Sequence, residues 1–381
     1  MYNKYKISIV LPVHNGIKYV DEFIRSVTTI NNNNFELVIS ENCSTDGTRE
    51  YLKEIAQKYN FIKYFETETL LSQPDNWANG ILKTTGDWVI LIGVDDALTP
   101  NFFYSAEKLI KIAEKKRLNI IKTNRIYYFW DDEIIKKIYD NCHYSYFSRN
   151  RIIERKTKDA LYNGLYMGQF VDMPQMYTTS LFRRELIEKI KSISKNGKLI
   201  PYNSPDAYLG VAACFFEDKY LYAETPIAWV GTSSSSQGYR DSQERKITNI
   251  DISLNDYKDF TVTTYKTINA TELLVGGALD IVQKNAGYIK YDYDKLRLVK
   301  NVAYKKINQK DESSFFVDDL LRAWNIKKSD VTYKPYREKN PIILLIKKFF
   351  LNLFYSSIHF YASYDDNKTC NWKYSQVNKL I

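Results

Sequence analysis

The chain has 381 residues, of which 44% are hydrophobic, and a formal net charge of +9. This length exceeds that of one minimal domain, so we expect one large domain with an appended module. The positive charge favours polyanionic partners, namely nucleic acid, anionic lipid or phosphorylated substrates. The cysteines show no CxxC pairing, which argues against a structural zinc site and favours a reducing cytosol; they are Cys43, Cys142, Cys214 and Cys370.

The first 116 residues alternate between strand and helix patterns. The short apolar run at residues 7–13 lacks the length and cleavage site of a signal peptide and predicts a buried strand. Further strands are predicted at residues 35–40, 62–65 and 88–94. Helices are predicted from Val20, from the Ser44 cap to 59, over 76–84, and from Thr99-Pro100 to 116. This alternation indicates a parallel sheet covered by helices, in which ligands lie at the carboxyl ends of the strands.

Polar pairs follow three of the predicted strands. These pairs are His14-Asn15, Glu41-Asn42 and Asp95-Asp96. The preference of polar residues for turns explains any one pair as well as a binding role does. Three pairs that converge at one end of a sheet favour a binding site.

The second half of the chain is less regular. Two strand-like runs in residues 120–138 flank Trp130-Asp131-Asp132-Glu133 and predict a hairpin, and residues 144–174 are predicted to be irregular. A strand over 176–182 and helices over 184–193 and 204–215 follow, then strands at 221–222 and 227–230 and a Ser/Gly loop at 232–238. Helical patterns dominate after Lys246, for instance at 271–283 and 315–324. We therefore predict a catalytic domain over 1–250 and a helical module over 251–381.

Several ordered segments resemble family 2 glycosyltransferases with the GT-A fold. They are IVLPVHNG, VISENCSTDGT, DNWANGILKTTGDWVILIGVDDAL, MYTTSLFRREL and SPDAYLG. The resemblance covers roughly residues 5–240. It implies a mixed α/β sheet of Rossmann-like type flanked by helices, and an inverting transfer of a sugar from a nucleotide diphosphate.

The resemblance also implies a donor site. Its nucleotide-binding residues would be Pro12, Val13, His14, Asn15, Glu41, Asn42, Asn76 and Asp95. The chain has Glu41-Asn42 where the family usually carries paired aspartates, yet an asparagine amide still offers a donor and an acceptor to a uracil edge. A uridine nucleotide is therefore expected. For His14, a packing or hydrogen-bonding role is the alternative to nucleotide binding. Asp46 is expected to cap the following turn.

A metal site is implied at Asp95-Asp96. By resemblance, Asp96 ligates Mn²⁺ or Mg²⁺, and Asp95 contacts the ribose or donor sugar and assists coordination. Carboxylate oxygens suit either ion, which would stabilise the departing diphosphate. The segment IAWVGTSSSSQG lacks the late histidine of many relatives. Its Trp229 would line the pocket, and its serines would contact phosphate or form a lid.

Inversion requires a base opposite the leaving group to deprotonate the acceptor hydroxyl. Asp206 lies at a predicted helix start in the segment that resembles the family's acidic acceptor motif, although Pro205 replaces the usual glutamate. We predict Asp206 as the base. Asp172 is the other candidate for the base. Asp206 would then have a purely structural role at the helix terminus. Arg183 and Arg184 would face either the diphosphate or solvent.

The segment at 341–361 is an apolar helix pattern with one polar stripe. The stripe contains Lys347, Lys348, Asn352, Ser356 and His359. The segment is interpreted either as a helix in the interface of an anionic membrane or as one packed on the catalytic domain or a partner subunit. Two central lysines argue against a spanning helix.

The expected function is metal-dependent transfer of a hexose or N-acetylhexosamine from a UDP-sugar to a glycan or lipid-linked saccharide. The resemblance implies bacterial surface polysaccharide, such as capsule or O-antigen, made in the cytoplasm or on the inner face of the membrane. Homo-oligomerisation stays open, and nucleic-acid binding is not expected because no recognition motif is present. The alternatives are a catalytically degenerate binding or scaffold protein and a sugar nucleotidyltransferase.

Overall fold

The computed structural model describes residues 5–29, 34–130, 151–195, 197–236, 256–261, 270–309 and 314–332. The strands of this part of the chain are β1 (Ile7–Val13), β2 (Phe35–Glu41), β3 (Ile62–Glu66), β4 (Trp88–Leu91), β5 (Ala97–Leu98), β6 (Ile120–Thr123), β7 (Ile126–Phe129), β8 (Ile152–Lys156), β9 (Ser180–Arg183), β10 (Lys219–Ala223) and β11 (Ala228–Thr232). The helices are α1 (Ile17–Thr28), α2 (Thr48–Lys58), α3 (Gln73–Leu82), α4 (Phe102–Lys116), α5 (Thr157–Met167), α6 (Arg184–Ser192), α7 (Pro205–Phe216), α8 (Thr271–Ala286), α9 (Lys295–Gln309) and α10 (Ser314–Ala323).

The larger sheet has eight strands in the order β3-β2-β1-β4-β9-β6-β10-β8. Strands β3, β2, β1 and β4 are parallel, and β6 is parallel to β10. Strand β9 runs antiparallel between β4 and β6, and β8 is an antiparallel edge strand. The mixed sheet flanked by helices is thus confirmed. We call the end where β1, β2 and β4 finish the carboxyl end of the sheet, and the opposite end its amino end.

Helices cover both faces of this sheet because the central strands bury both of their faces. Strand β1 shows the alternation: Ile9 packs into the core under α1 and α4, whereas Val10 packs into the core that contains α5 and α7. Both side chains are fully buried. The sheet is therefore a rigid platform, and its carboxyl end carries the loops.

One local prediction was wrong. Residues 144–174 were predicted to be irregular, but β8 and α5 lie within them. The first run of the predicted hairpin divides at Asn124 into β6 and β7, which belong to different sheets, and the hairpin itself stays a prediction. Strand β7 pairs in parallel with β11 in a three-stranded sheet of order β5-β11-β7. The second run of the predicted hairpin lies outside the described residues.

The late helices share the core of the sheet. Leu273, Val275 and Leu279 of α8 lie in one buried cluster with Leu165 of α5 and Val211 of α7. The predicted domain boundary near residue 250 falls outside the described residues and stays a prediction. The segment at 341–361 also lies outside them. Within the described part of the chain, no helix combines the length and apolar character needed to cross a membrane.

Candidate functional site

The loop after β1 is fastened to the loop after β2. The backbone N–H of Asn15 donates to the Ser44 hydroxyl at 2.9 Å, and the Asn15 side-chain oxygen accepts from the Thr45 N–H at 2.8 Å. The Nδ1 of His14 donates to the Asn42 carbonyl at 2.7 Å. Asn15 has a positive φ of 52°, which asparagine tolerates better than most residues. This network leaves the side chains of His14 and Asn15 exposed at the carboxyl end of the sheet.

The side chains of Pro12 and Val13 differ in exposure. Pro12 is partly exposed, whereas Val13 is 2% exposed and packs in the core under α1. The carbonyl of Val13 accepts from the Asn42 N–H at 2.9 Å. Of these two predicted nucleotide-binding residues, only Pro12 presents its side chain at the surface.

Glu41 and Asn42 bind the protein's own loops. Glu41 is fully buried and accepts from the Ser44 N–H at 2.6 Å and from Arg49 Nε at 3.2 Å. The Asn42 amide pairs with the backbone of Leu71, accepting at 2.8 Å and donating at 3.0 Å. Recognition of a base by this amide would therefore require the Leu71 segment to move, and the predicted contact stays a prediction.

Asp46 fixes the turn that leads into α2. Its carboxylate accepts from the Ile17 N–H and from the Thr48 N–H, both at 3.1 Å. Burial raises the pKa of Asp46, but the hydrogen bonds from Thr48 and Ile17 outweigh burial and hold it below its usual value. The neighbouring Cys43 has a φ of 55°, in the left-handed region that favours glycine. The structural role expected for Asp46 agrees with these contacts.

Asn76 lies inside the fold, on α3. It is 4% exposed, and its side-chain oxygen accepts from the Ser40 hydroxyl of β2 at 2.6 Å. The amide of Asn79 donates to the same Ser40 oxygen at 2.7 Å. This placement ties α3 to the sheet, and the donor contact predicted for Asn76 stays a prediction.

The two acids after β4 differ in their surroundings. Asp96 is fully buried, and its carboxylate accepts from the Gly93 N–H at 2.8 Å, the Gly231 N–H at 2.7 Å and the Thr178 hydroxyl at 2.9 Å. Burial, and then the charge of Asp95, raise the pKa of Asp96 to about 7, against the opposing hydrogen bonds. These hydrogen bonds join the loop after β4 to strand β11 and to the segment before β9.

Asp95 faces the serine-rich loop after β11. One of its carboxylate oxygens accepts from Ser233 Oγ at 2.8 Å and from Ser236 Oγ at 2.6 Å. Its carbonyl accepts from Trp130 Nε1 at 2.8 Å. The Asp95 carboxylate is thus bound by side-chain hydroxyls of one loop, whereas Asp96 also accepts from two backbone N–H groups.

The donor set fits a divalent ion at Asp95. Mg²⁺ is usually held by one or two carboxylates, with substrate phosphates and water completing the octahedron. Asp95 and the hydroxyls of Ser233 and Ser236 offer hard oxygen atoms of this kind. Within the described residues, no cluster of three or more His, Cys, Asp or Glu residues forms a complete protein cage. The predicted role of Asp96 as metal ligand stays a prediction, and the geometry favours Asp95 of the two.

An aromatic pair that the sequence analysis missed flanks the acids. Trp77 of α3 stacks on Tyr177 with ring centroids 5.3 Å apart. Tyr177 is hydrogen-bonded to Asp96. Burial, followed by the charges of Asp96 and Asp95, raises the pKa of Tyr177 well above its usual value, so this hydroxyl stays a donor. No motif signals the pair, because the two residues are 100 positions apart.

Asp206 occupies the first turn of α7. Its carboxylate accepts from the Ser204 hydroxyl and from the Ala207 N–H, both at 2.9 Å. Burial raises the pKa of Asp206 despite these hydrogen bonds and the nearby charge of Arg125. The side chain remains partly exposed, and Asp172 is exposed in a short 3₁₀ turn at Phe170–Asp172. Asp206 is thus a carboxylate with raised proton affinity and access to solvent.

A short segment links Asp206 to the acids. The backbone of Gly210 in α7 lies beside Gln175. The same segment continues to Thr178, whose hydroxyl binds Asp96. The predicted base and the predicted metal acids therefore lie on one side of the sheet end, joined by residues 175–178.

Three other residues named from the sequence lie away from the open end. Arg183 forms an ion pair with Glu114 at 3.2 Å, and Arg184 donates to the Gly86 carbonyl at 2.7 Å. Both lie at the amino end of the sheet because β9 is antiparallel, so a diphosphate contact is excluded. Trp229 is 1% exposed and packs with Tyr19 in a small buried cluster, so it does not line an open pocket.

Comparison with known proteins identifies a family for part of the chain. Residues 8–191 match the family model described as Glycosyl transferase family 2. The match spans just under half of the chain, so the similarity to this family is limited to that segment.

Several curated glycosyltransferases are similar over shorter regions. Glycosyltransferase GlyA of Streptococcus pneumoniae is 24% identical over 228 residues, which cover 57% of this chain and 29% of GlyA. Abequosyltransferase RfbV of Salmonella typhimurium is 33% identical over 95 residues, 24% of this chain and 28% of that protein. Poly(ribitol-phosphate) beta-N-acetylglucosaminyltransferase TarS of Staphylococcus aureus is 29% identical over 108 residues, 28% of this chain and 19% of TarS. The chain thus spans less than a third of each of these relatives.

Solved structures show a looser likeness. Residues 1–349 of S. aureus TarS in complex with UDP-GlcNAc align with a TM-score of 0.49 and 15% identity, over 86% of this chain and 88% of that one. The mannosyltransferase PcManGT from Pyrobaculum calidifontis, in complex with GDP-Man and Mn²⁺, aligns with a TM-score of 0.43 and 11% identity, over 84% and 86%.

Proposed function

We propose that the chain, whose residues 8–191 match the glycosyl transferase family 2 model, is an inverting, metal-dependent glycosyltransferase. It would transfer a hexose or N-acetylhexosamine from a nucleotide diphosphate sugar to a glycan acceptor in bacterial polysaccharide biosynthesis. The observation that carries the proposal is the placement of Asp95 and Asp206 on one side of the carboxyl end of the sheet, connected through residues 175–178. The names of the relatives GlyA, RfbV and TarS support the reaction class.

The donor would bind along the ends of β1, β2 and β4. The exposed side chains of His14 and Asn15 and the partly exposed Pro12 offer a surface for the nucleotide. A uridine nucleotide is the first candidate, since a similar structure holds UDP-GlcNAc. The Asn42–Leu71 pairing means that the base would be recognised by its fit against the 67–71 segment or after movement of that segment.

A divalent ion would be held by Asp95 with the phosphate oxygens of the donor. When bound, the ion would neutralise negative charge on the departing diphosphate. The Ser233 and Ser236 hydroxyls now bound to Asp95 would turn to the phosphate oxygens or the ion. Asp96 would remain within the protein and hold the β4 loop in position, since three donors from separate segments fix its carboxylate.

Asp206 would be the general base. Inversion needs a proton acceptor on the face of the sugar opposite the leaving group. The raised pKa of Asp206 makes its carboxylate a stronger base than an exposed aspartate. The bonds from Ser204 and Ala207 hold one carboxylate oxygen, Oδ1, and so orient the group. An acceptor bound beside α7 would deliver its hydroxyl to this carboxylate.

The reaction is expected at the cytoplasmic side of the cell, where nucleotide sugars would be supplied to a glycan or lipid-linked acceptor. Peripheral membrane contact through residues 341–361 remains a prediction from the sequence.

A nucleotide panel tests the proposal. The melting temperature of the protein is measured with UDP, UDP-sugars, GDP and GDP-sugars, each with and without Mn²⁺, because a ligand of the folded state raises it. We expect a Mn²⁺-dependent rise with a uridine ligand, lost in Asp95→Asn. The matched control Asp330→Asn alters an exposed aspartate in the 3₁₀ turn at Lys328–Asp330 and should keep the rise.

Two other outcomes would redirect the assignment. A folded protein that responds to no nucleotide would support the degenerate scaffold instead. Release of inorganic pyrophosphate from a nucleoside triphosphate and a sugar phosphate would indicate a nucleotidyltransferase.

A further inference from the structure

Three cationic side chains lie together on one face of the sheet, beyond the acids of β4. Lys122 is on β6, Arg125 follows β6, and Arg155 is on the edge strand β8. We call these three residues the cationic face. None of them belongs to the sites discussed above.

Strand register places the cationic face on one side of the sheet. Lys122 is the register partner of Tyr222 on β10, and Tyr222 is the partner of Ile153 on β8. Arg155 is two residues from Ile153, so Lys122, Tyr222 and Arg155 share a face. The Arg155 guanidinium lies 3.4 Å from the centre of the Tyr222 ring. Its charge thus reaches toward the carboxyl end of β10, near Lys122.

Lys122 is a buried amine without a carboxylate partner. It is 3% exposed, and its Nζ donates to the Thr179 hydroxyl at 3.0 Å. Within the described residues, no carboxylate comes within ion-pair distance of it. Burial first, and then the positive charge of Arg125, hold the pKa of Lys122 well below its usual value, while Asp172 opposes them and Arg155 adds to the repulsion. The surroundings of Lys122 therefore favour the arrival of a negative charge.

Arg125 has an unused donor. Its Nη2 donates to Gln175 Oε1 at 2.6 Å, and Gln175, which is 1% exposed, is fixed in turn by a bond to the Phe170 carbonyl at 2.8 Å. The Arg125 Nε is buried and has no hydrogen-bond partner in the part of the chain that the structure describes. A buried N–H of this kind is costly unless a ligand satisfies it. The guanidinium is thus held in place with one donor available.

The strands that carry Lys122 and Arg155 are offset from β4 toward the edge of the sheet. In the order β4-β9-β6-β10-β8, Lys122 lies two strands from the acids and Arg155 four strands from them. At about 4.8 Å per strand, these separations are roughly 10 and 19 Å. The charge of Arg125 acts on Asp206, which places the cationic face beside the predicted base. An anion held here would belong to the acceptor.

We propose that the cationic face binds an oxyanion of the acceptor, a phosphate or a carboxylate, adjacent to the hydroxyl that is glycosylated. This inference rests on the proposed transferase function. Arg125 would donate its free Nε–H to the anion, and Lys122 would bind it through its amino group. Arg155, stacked on Tyr222, would contact the anion from the side of the edge strand β8. Acceptors of this class are glycans that carry phosphodiester or uronic acid units.

Anion binding is tested without turnover. The melting temperature of the full chain is measured with sn-glycerol 3-phosphate against glycerol, and with glucuronate against glucose, in NaCl of matched ionic strength. The first pair reports phosphate and the second carboxylate. We expect one anionic member to stabilise the protein and its neutral counterpart to have no effect. Because hydrogen bonds to charged groups are strong, Arg125→Met and Arg155→Met should each weaken anion binding roughly tenfold or more.

A matched control removes one positive charge from the opposite face of the sheet. Lys115→Met alters an exposed residue of α4, and α4 packs in the other core. This variant should bind the anion as the unaltered chain does. Equal anion binding in all variants, or no stabilisation of the unaltered chain by either anion, would overturn the proposal.

A second measurement separates the acceptor site from the donor site. The anion response is repeated with saturating UDP and Mn²⁺, and additive stabilisation is expected for two separate sites. Competition would assign the cationic face to the donor and contradict the inference. If UDP and Mn²⁺ have no effect while the anion still binds through Arg125 and Arg155, the proposed transferase function fails and the anion site remains.

Discussion

The pKa of a buried carboxylate is lowered at one end of the sheet and raised at the other. At the amino end, Glu36 of β2 is 1% exposed and is surrounded by Lys6, Lys63, Ser8 and the Thr85 N–H. Burial raises the pKa of Glu36, but the hydrogen bonds from Lys6 and Lys63, followed by those from Ser8 and Thr85, leave it far below its usual value. At the carboxyl end, Asp96 receives neutral donors and faces the like charge of Asp95, so its pKa rises to about 7.

The difference separates a carboxylate whose negative charge the protein balances with lysines from one beside which a second negative charge lies. The protein supplies two lysines to Glu36, and the resulting network joins β1, β2, β3 and the end of α3. Asp96 receives its hydrogen bonds from neutral donors, namely two backbone N–H groups and the Thr178 hydroxyl. Strongly raised pKa values cluster at functional sites because reactive groups keep unbalanced charge there. This contrast agrees with the proposal that a cation binds at the carboxyl end.

The largest expected effect is on the rate of sugar transfer when the negative charge of Asp95 is removed. In Asp95→Asn, transfer should fall on the order of 10⁴-fold, since metal assistance contributes several kcal/mol of transition-state stabilisation. The free energy of unfolding should change little, because an asparagine oxygen still accepts from Ser233 and Ser236. Initial transfer rates and urea unfolding measure the two quantities. Undiminished transfer would remove Asp95 from the reaction.

The second largest effect is expected for Asp206, the acid in the first turn of α7. Asp206→Asn should lower the turnover number by about 10²–10³-fold, because the acceptor hydroxyl loses its base. Donor affinity should be retained, since Asp206 lies on the acceptor side. Asp172→Asn is the matched variant, and it should keep both turnover and affinity. The reverse pattern would transfer the role of base to Asp172.

At the amino end, loss of charge should affect stability instead of turnover. Glu36→Gln should lower the free energy of unfolding by about 2 kcal/mol, because Lys6 and Lys63 lose their partner while remaining partly solvated. The folded pKa of Glu36 is depressed, so its stabilisation is complete above its ordinary value of 4.5 and is lost as pH falls through the folded value. The deficit measured by urea unfolding should be constant from pH 8 to 5 and shrink in more acidic solution.

Lys122 offers the converse case, a buried amine without a carboxylate at ion-pair distance in the described part of the chain. Lys122→Met should raise the free energy of unfolding by about 1–3 kcal/mol at neutral pH. The unfolded lysine binds a proton below pH 10.5 and the folded amine resists it, so the unaltered chain loses stability as pH falls. Urea unfolding at pH 7, 8 and 9 should show a gain that is largest at pH 7. A gain independent of pH would mean that the folded amine is charged.

The smallest effect concerns backbone strain at the carboxyl end. Cys43 adopts a left-handed conformation with φ 55°, which costs a non-glycine residue on the order of 1 kcal/mol. Cys43→Gly should raise the free energy of unfolding by less than about 1 kcal/mol, because glycine relieves strain but adds freedom to the unfolded chain. The change is measured by urea unfolding under reducing conditions. A loss of stability would show that the thiol contact with Thr67 outweighs the strain.

Sequence patterns predicted the first half of the fold well because its signals are local. Strand β1 was predicted at its observed residues, and α7 was predicted from its Ser204-Pro205 start. Strand β8 was missed because it is an edge strand with exposed polar side chains. The strand predicted to begin at Met176 begins only at Ser180, because the preceding residues turn at Thr178, which has a φ of 57°. Periodicity does not report such turns.

The candidate site was predicted in part. Sequence order located Asp95, Asp96 and Asp206, because strand ends and helix starts are visible in a sequence. The difference between Asp95 and Asp96 was not visible, since it depends on donors from Thr178 and Gly231, which are distant in the chain. The cationic face was missed for the same reason. Lys122 reads as an ordinary strand residue until the register with Tyr222 is known.

Gly93 restricts how this site can evolve. A Cβ atom at this position would lie 2.4 Å from Tyr177 Oη, 2.8 Å from Asp96 Oδ2 and 3.3 Å from Asp95 Oδ1. A mutation to aspartate would be the simplest route to a third carboxylate beside the pair, yet it would collide with Tyr177 before it reached a ligand. The positions are therefore epistatic: position 177 must lose its hydroxyl and the Asp96 carboxylate must shift before position 93 can gain an acid. Lineages that descend from this chain are expected to keep glycine and tyrosine together or to replace them in that order.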